Sequence, residues 1–169
     1  MEMDILLKPI GVIYTSARDE EVKYSYFGVD GYIEVFPEYE EGLEGIEEFS
    51  HIIVLAYLHK VTDEQRKVLK VKHRGLARFG IEIDDLPCVG VFCTDSPHRP
   101  NPIALSILEL TKREGRRLYV KGLDLFNGTL VLDIKAYTPE RCIKELRLPW
   151  WYKELSKRVE KRFGKVGWV

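Results

Sequence analysis

Apolar and polar residues alternate over short stretches of this chain, broken by turn residues, and that rhythm belongs to strands more than to helices. Ile5 to Tyr14 predicts a strand interrupted at Pro9. Thr15 to Phe27 is polar with no clean period and reads as a loop. Tyr32-Ile33-Glu34-Val35-Phe36 alternates as a strand entered from a turn at Asp30-Gly31, and Pro37 to Gly45 is an acidic loop leading to a helical turn through Phe49. His51 to His59 is almost continuously apolar, the pattern of a strand buried on both faces. Thr62, with Glu64 and Gln65 behind it, predicts the start of a helix over 63–71. The basic run Lys72 to Arg78 leads through Ile81-Glu82-Ile83 to a turn at Asp84 to Pro87. Strands are expected at 88–94, 103–111, 117–126 and 129–137, separated by turns at Lys112 to Gly115 and at Asn127-Gly128. Trp151, Leu155, Val159 and Phe163 share one face of an amphipathic helix over 150–163.

About seven short, evenly spaced strands with few helices predict a mainly β fold, a closed or nearly closed single-domain barrel. Residues 1–140 are expected to form the barrel domain, and 141–169 a helical extension packed on it. No internal repeat, linker or low-complexity segment is visible.

Composition narrows the function classes. A chain of 169 residues can bury one proper core. The formal net charge of −1 sets up no global positive field, so contact with nucleic acid needs a local basic patch. Candidates lie at Arg66 to Arg78, Lys112 to Arg117 and Lys157 to Arg162. The cysteines Cys88, Cys93 and Cys142 are odd in number and lack metal-ligand spacing. With no signal peptide and no membrane-length apolar run, the expectation is a cytoplasmic, reduced, metal-free protein. No phosphate-cradling glycine loop, nucleophile elbow or paired-histidine zinc motif is present. His51 and His59 fall on the same side of one strand but about 27 Å apart, too far to share an ion.

The chemistry concentrates in residues 95–106, Asp-Ser-Pro-His-Arg-Pro-Asn-Pro-Ile-Ala-Leu-Ser. Pro97, Pro100 and Pro102 fix their own φ and hold the preceding residues extended. Ser96, His98, Arg99 and Asn101 are thus presented at a strand end at low entropic cost, as in a ligand-binding loop. Asp133, Lys135 and Tyr137 alternate along a later strand and are expected to line a barrel mouth or polar cleft.

Gly90 to Ser106 resembles the signature of the TsaA-like family (TrmO, YaeB, VirR). Pro9 to Ile13, Gly42 to His51, His59-Lys60 and Leu123 to Lys135 resemble its other blocks in the same order. The resemblance implies a β-barrel methyltransferase that uses S-adenosylmethionine (SAM), forms homodimers and methylates the exocyclic nitrogen of threonylcarbamoyl-adenosine beside the anticodon of certain tRNAs. It places cofactor contacts at His59, Lys60, Thr94, Asp95, Ser96, Arg99, Asn101 and Leu105, and at Asn127, Gly128, Thr129 and Leu130. The methionine carboxylate needs a cation, for which Lys60, Arg99 and Lys135 are candidates. Tyr137, His98 and Asp133 are candidate general bases, and Lys135 and His51 candidate substrate contacts. Asp95 stands where relatives commonly carry Arg, and Asp19 to Tyr26 replaces a Pro-Arg-Gln element in the first long loop. Two other readings fit the same fold: a small-molecule methyltransferase and a non-catalytic SAM-binding module.

Overall fold

The computed structural model describes residues 5–165, so the outer ends of the two expected units, 1–4 and 166–169, lie outside the described residues. Its strands are β1 (Gly11–Tyr14), β2 (Val29–Val35), β3 (His51–Tyr57), β4 (Lys70–Val71), β5 (Val89–Gly90), β6 (Ile103–Glu114), β7 (Arg117–Leu123) and β8 (Leu130–Ala136). Six of them close an antiparallel barrel in the order β1-β2-β7-β6-β3-β8, while β4 and β5 pair as a separate ribbon. The barrel is therefore the expected one, with six staves rather than about seven.

Side-chain alternation explains the core. Ile13, Ile33, Ile52, Val54, Leu108 and Leu118 point inward and are fully buried, closing the barrel around packed aliphatic layers. On β6 the intervening Ile103, Leu105 and Ile107 face outward and are exposed.

Several boundaries differ from expectation for local reasons. Residues Ile5 to Leu7 are exposed, and the first strand starts only at Gly11, after Pro9. Thr15 to Phe27 is no plain loop: α1 (Asp19–Tyr24) forms there, its first turn acidic and the Glu21 carboxylate accepting from the Arg18 amide. Six residues are too few to display a helical period. Gly31 sits inside β2 at a register irregularity rather than in a turn; a Cβ there would meet Tyr14 O at 2.6 Å, so the close approach of β1 is what requires glycine. Thr62 caps α2 (Asp63–Arg66) through a reciprocal pair with Gln65, but the helix stops there because Lys70–Val71 pairs with Val89–Gly90. The run 88–94 is accordingly two residues of strand followed by a 3-10 turn at Val91–Cys93. α3 (Arg74–Ala77) follows the ribbon's first strand.

The C-terminal helix α4 (Trp150–Phe163) has the expected span. Its apolar face, Leu155 and Val159 with Trp151 and Phe163, packs on Leu76, Phe79, Ile81, Ile83, Leu86 and Tyr26, a cluster separate from the barrel core. Arg158 makes a two-pronged pair with Asp85, holding that carboxyl at about 2, and Arg162 donates to Phe79 O. The extension thus seats on the excursion between β3 and β6. Among the described residues no helix is long and apolar enough to cross a membrane.

This topology makes the two barrel ends unequal. One rim gathers the C-terminal ends of β1, β3 and β7 and the N-terminal ends of β2, β6 and β8. The α1 segment, the whole excursion 58–102 and the 124–129 turn all spring from that rim.

Candidate functional site

Three chain segments distant in sequence meet at this rim. β3 runs out into Leu58-His59-Lys60, and Leu58 N donates to Pro102 O at 2.8 Å, tying the strand end to the proline loop. Within that loop Thr94 Oγ1 donates to Val91 O and accepts from the Ser96 amide, while Ser96 Oγ accepts from the His98 amide. Arg99 Nη1 turns back onto Thr94 O at 3.2 Å, so its guanidinium braces the loop. Arg66 Nε donates to Pro100 O at 3.1 Å and fastens the same loop to α2. Asn101 and Asp95 are exposed; His98 is half-buried.

The third segment is the 126–129 turn. Gly128 has φ +81°, and Thr129 N donates to Phe126 O. Asn127 Oδ1 accepts from Thr15 N at 3.1 Å, and Thr129 Oγ1 lies 3.4 Å from His59 Nδ1. Thr129 is buried and Leu130 half-buried. Burial, and secondarily the Lys60 charge, push the His59 pKa below its ordinary value, so the imidazole is neutral around pH 7.

Lys60 is a cation at the centre of this convergence. Its Nζ lies 2.5 Å from Asp19 Oδ2, on the first turn of α1, and 4.9 Å from the Phe126 ring centroid. Lys23 approaches the same ring at 5.5 Å. Both signs of charge therefore border one aromatic face. That donor set fits a zwitterionic, adenine-bearing cofactor: Phe126 offers a stacking surface, Lys60 a carboxylate partner, Asp95 and Asp19 counter-charges.

The other predicted residues lie elsewhere. Asp133 and Lys135 pair with each other at 2.5 Å on the outer wall, because the strand slips register between Leu55 and Ala56 and turns Ile134 inward. They do not line the mouth. Tyr137 N donates to His51 O at the opposite end of β3, so Tyr137 and His51 stand about 20 Å from the rim by strand length. Leu105 belongs to the outer wall of β6. Within one chain, the structure brings His98 but neither Asp133 nor Tyr137 to the cluster.

Sequence reasoning missed Asp19, Phe126 and Asp124. Asp124 follows β7 directly, and its Oδ1 accepts from Ser106 Oγ at 2.6 Å. An acidic residue set between buried Leu123 and Leu125 at a strand end was the available signal. Two open depressions lie away from the rim, one of about 440 Å³ among Glu38, Glu40, Glu41, Glu44 and Arg113, the other of about 510 Å³ beside α4. Neither carries comparable chemistry.

Residues 24–141 match the model of the tRNA-methyltransferase O N-terminal domain. A probable S-adenosyl-L-methionine-binding protein of Pyrococcus abyssi is 36% identical over 163 residues, 94% of this chain and 82% of that protein. The human tRNA (adenine(37)-N6)-methyltransferase is 40% identical over 106 residues, 63% of this chain but 22% of that enzyme. The crystal structure of TrmO from Pseudomonas aeruginosa superposes with a TM-score of 0.61 at 30% identity, covering 86% of this chain and 61% of that one. The chain thus spans less than two thirds of the length of the latter two proteins.

Proposed function

The chain belongs to the tRNA-methyltransferase O N-terminal domain family, and from that premise we propose that it is a SAM-dependent methyltransferase acting on tRNA in the cytoplasm, with the exocyclic nitrogen of threonylcarbamoyl-adenosine beside the anticodon as methyl acceptor. The observation that carries this reading is the convergence of His59-Lys60, the 94–101 loop and the 126–129 turn on one barrel rim. Of the three candidate cations, this reading assigns the methionine carboxylate to Lys60, which lies at the rim and would exchange Asp19 for it; Arg99 is spent on its own loop, and Lys135 lies away from the rim on the outer wall. When bound, SAM supplies an electrophilic methyl group, and the rigid loop serves chiefly to position.

A basic strip beside the rim supports RNA as the substrate. Residues 66–80 contain Arg66, Lys67, Lys70, Lys72, Arg74 and Arg78 and no acidic residue. Arg66 fastens the strip to the proline loop, and Arg78 Nη1 donates to Lys23 O at the end of α1. Reversing two charges in Lys70→Glu/Arg74→Glu is expected to weaken tRNA binding by about tenfold or more at moderate salt and to flatten its salt dependence, while SAM titrates unchanged. SAM binding without turnover on any tRNA pool would instead favour a non-catalytic module. Turnover only on small acceptors, insensitive to salt, would favour the small-molecule reading.

The same reading includes a homodimer, supported by the outward apolar row Ile103, Leu105 and Ile107, exposed by 37, 61 and 41%. A seam there would place Leu105 at a shared boundary. Leu105→Arg is expected to convert the dimer to monomer in light scattering; a wild-type monomer would remove the proposal.

A further inference from the structure

The reaction read from the rim has a chemical requirement that two of the three candidate bases are too distant to meet and that the third, His98, meets only with an unanchored ring. An adenine exocyclic nitrogen that also bears a carbamoyl group has its lone pair drawn into both ring and carbonyl, and it is a weak nucleophile while it keeps its proton. A proton acceptor beside it is needed. Asp133 and Tyr137 are distant from the rim; His98 stands on the proline loop at the rim, but among the described residues no hydrogen bond orients its ring; and His59 is engaged by Thr129 and flanked by Lys60.

Asp124 is placed differently. It leaves the last residue of β7, and its carboxyl reaches over the barrel end to Ser106. Ser106 is itself 4% exposed and points inward, with Leu108 two residues on in the core. This hydroxyl is thus built into the barrel and aims one hydrogen bond at Oδ1. Among the described residues Oδ2 accepts no side-chain hydrogen bond. The charged group acting on the carboxyl is Asp95, on the proline loop, so Asp124 faces the same loop as the proposed cofactor site. The residue still reaches solvent.

We propose that Asp124 is the general base of methyl transfer, with Ser106 as its positioning residue; this rests on the methyltransferase reading above. The acceptor nitrogen forms its bond to the methyl carbon as the carbon–sulfur bond breaks, the electron pair staying on sulfur. The N–H proton passes to the free carboxylate oxygen of Asp124, which then returns it to solvent. Shielding by surrounding protein, and secondarily the Asp95 charge, raise the Asp124 pKa from its ordinary value, which makes a better proton acceptor than an open aspartate; Ser106 works against that rise by favouring the charged form.

Asp124→Asn is expected to lower kcat for tRNA methylation about a hundredfold or more, with SAM affinity and tRNA KM unchanged within about twofold. The base acts deprotonated, so wild-type kcat rises with pH through the carboxyl's pKa and then levels. That limb disappears in Asp124→Asn. In Ser106→Ala it moves to higher pH, since the donor favouring the carboxylate is gone. A carboxyl NMR titration of the cofactor-free protein reads the same raised pKa directly and the further rise in Ser106→Ala. Asp124→Glu, which keeps a carboxylate, restores part of kcat and covers the case in which the asparagine variant folds poorly. Full activity in Asp124→Asn, or an acid limb that survives it, overturns the assignment of Asp124 alone. A wild type that binds no SAM and methylates no tRNA overturns the parent reading with it.

Discussion

Lys60→Glu is expected to bind SAM about 10–100-fold more weakly than the wild type in isothermal titration. A charge-assisted hydrogen bond contributes about 1.5–3 kcal/mol, and each 1.4 kcal/mol is tenfold in affinity. Lys60 is 46% exposed at its side chain, which argues for the lower half of that range unless the bound ligand covers it. Asp19 sharpens the test, because the cofactor carboxylate must displace it from Lys60. An ion pair this open to solvent contributes no more than about 1 kcal/mol. Asp19→Asn is therefore expected to tighten SAM binding by up to about fivefold, the opposite sign from Lys60→Glu. The His59 imidazole supplies an internal check: Lys60 helps depress its pKa, so removing that charge lets the histidine titrate at higher pH. Lys135→Glu, altering a cation on the outer wall, leaves affinity unchanged. Equal SAM affinity in Lys60→Glu and wild type, or weaker binding in Asp19→Asn, would exclude Lys60 as the carboxylate partner.

The sequence disclosed what depends on apolar runs and on capping. The apolar-rich run Ile103 to Leu110 between proline and charged turns shows the barrel stave, the unbroken apolar run at 52–56 shows the central one, and Thr62 with Gln65 marks its helix start. Closure and family were legible as well. Elements decided by partners were not. Cys88 to Thr94 has the composition of a strand, yet only Val89–Gly90 finds a partner, in Lys70–Val71. Asp133 and Lys135 obey the alternation rule between themselves, but one irregularity near Leu132 changes which face they take relative to Val131. Site residues followed the same division. His59, Lys60, the proline loop and Asn127 to Thr129 announce themselves as polar or glycine-rich strand ends. Asp19 and Asp124 matter through Lys60 and Ser106, contacts 41 and 18 residues away in sequence that no local pattern encodes.

Gly28→Ala is expected to be the most damaging small substitution in the barrel. Gly28 precedes β2 with φ +75°, and a Cβ there would fall 2.3 Å from the Gly122 carbonyl carbon and 2.7 Å from its Cα. These are backbone atoms of β7, so no rotamer change relieves the overlap. The left-handed conformation costs a side chain about 1–2 kcal/mol. Forcing the strands apart adds about 1–3 kcal/mol. Together, about 2–5 kcal/mol lowers the Tm by on the order of 10 °C for a domain of this size. Gly42→Ala is the matched control: no atom lies within 4 Å of its Cβ position and its φ is not positive, so its Tm should stay within about 1–2 °C of wild type. The location gives the prediction its meaning for function. Gly122 is two residues from Asp124, and Gly28 closes the segment that carries α1 and Asp19. The close approach of two glycine backbones is what lets β2 and β7 meet at the rim, with the base on one strand end and the partner of Lys60 on the connection to the other. If Gly28→Ala melts with the wild type, that approach is slack, and the rim is held by the proline loop and the 126–129 turn alone.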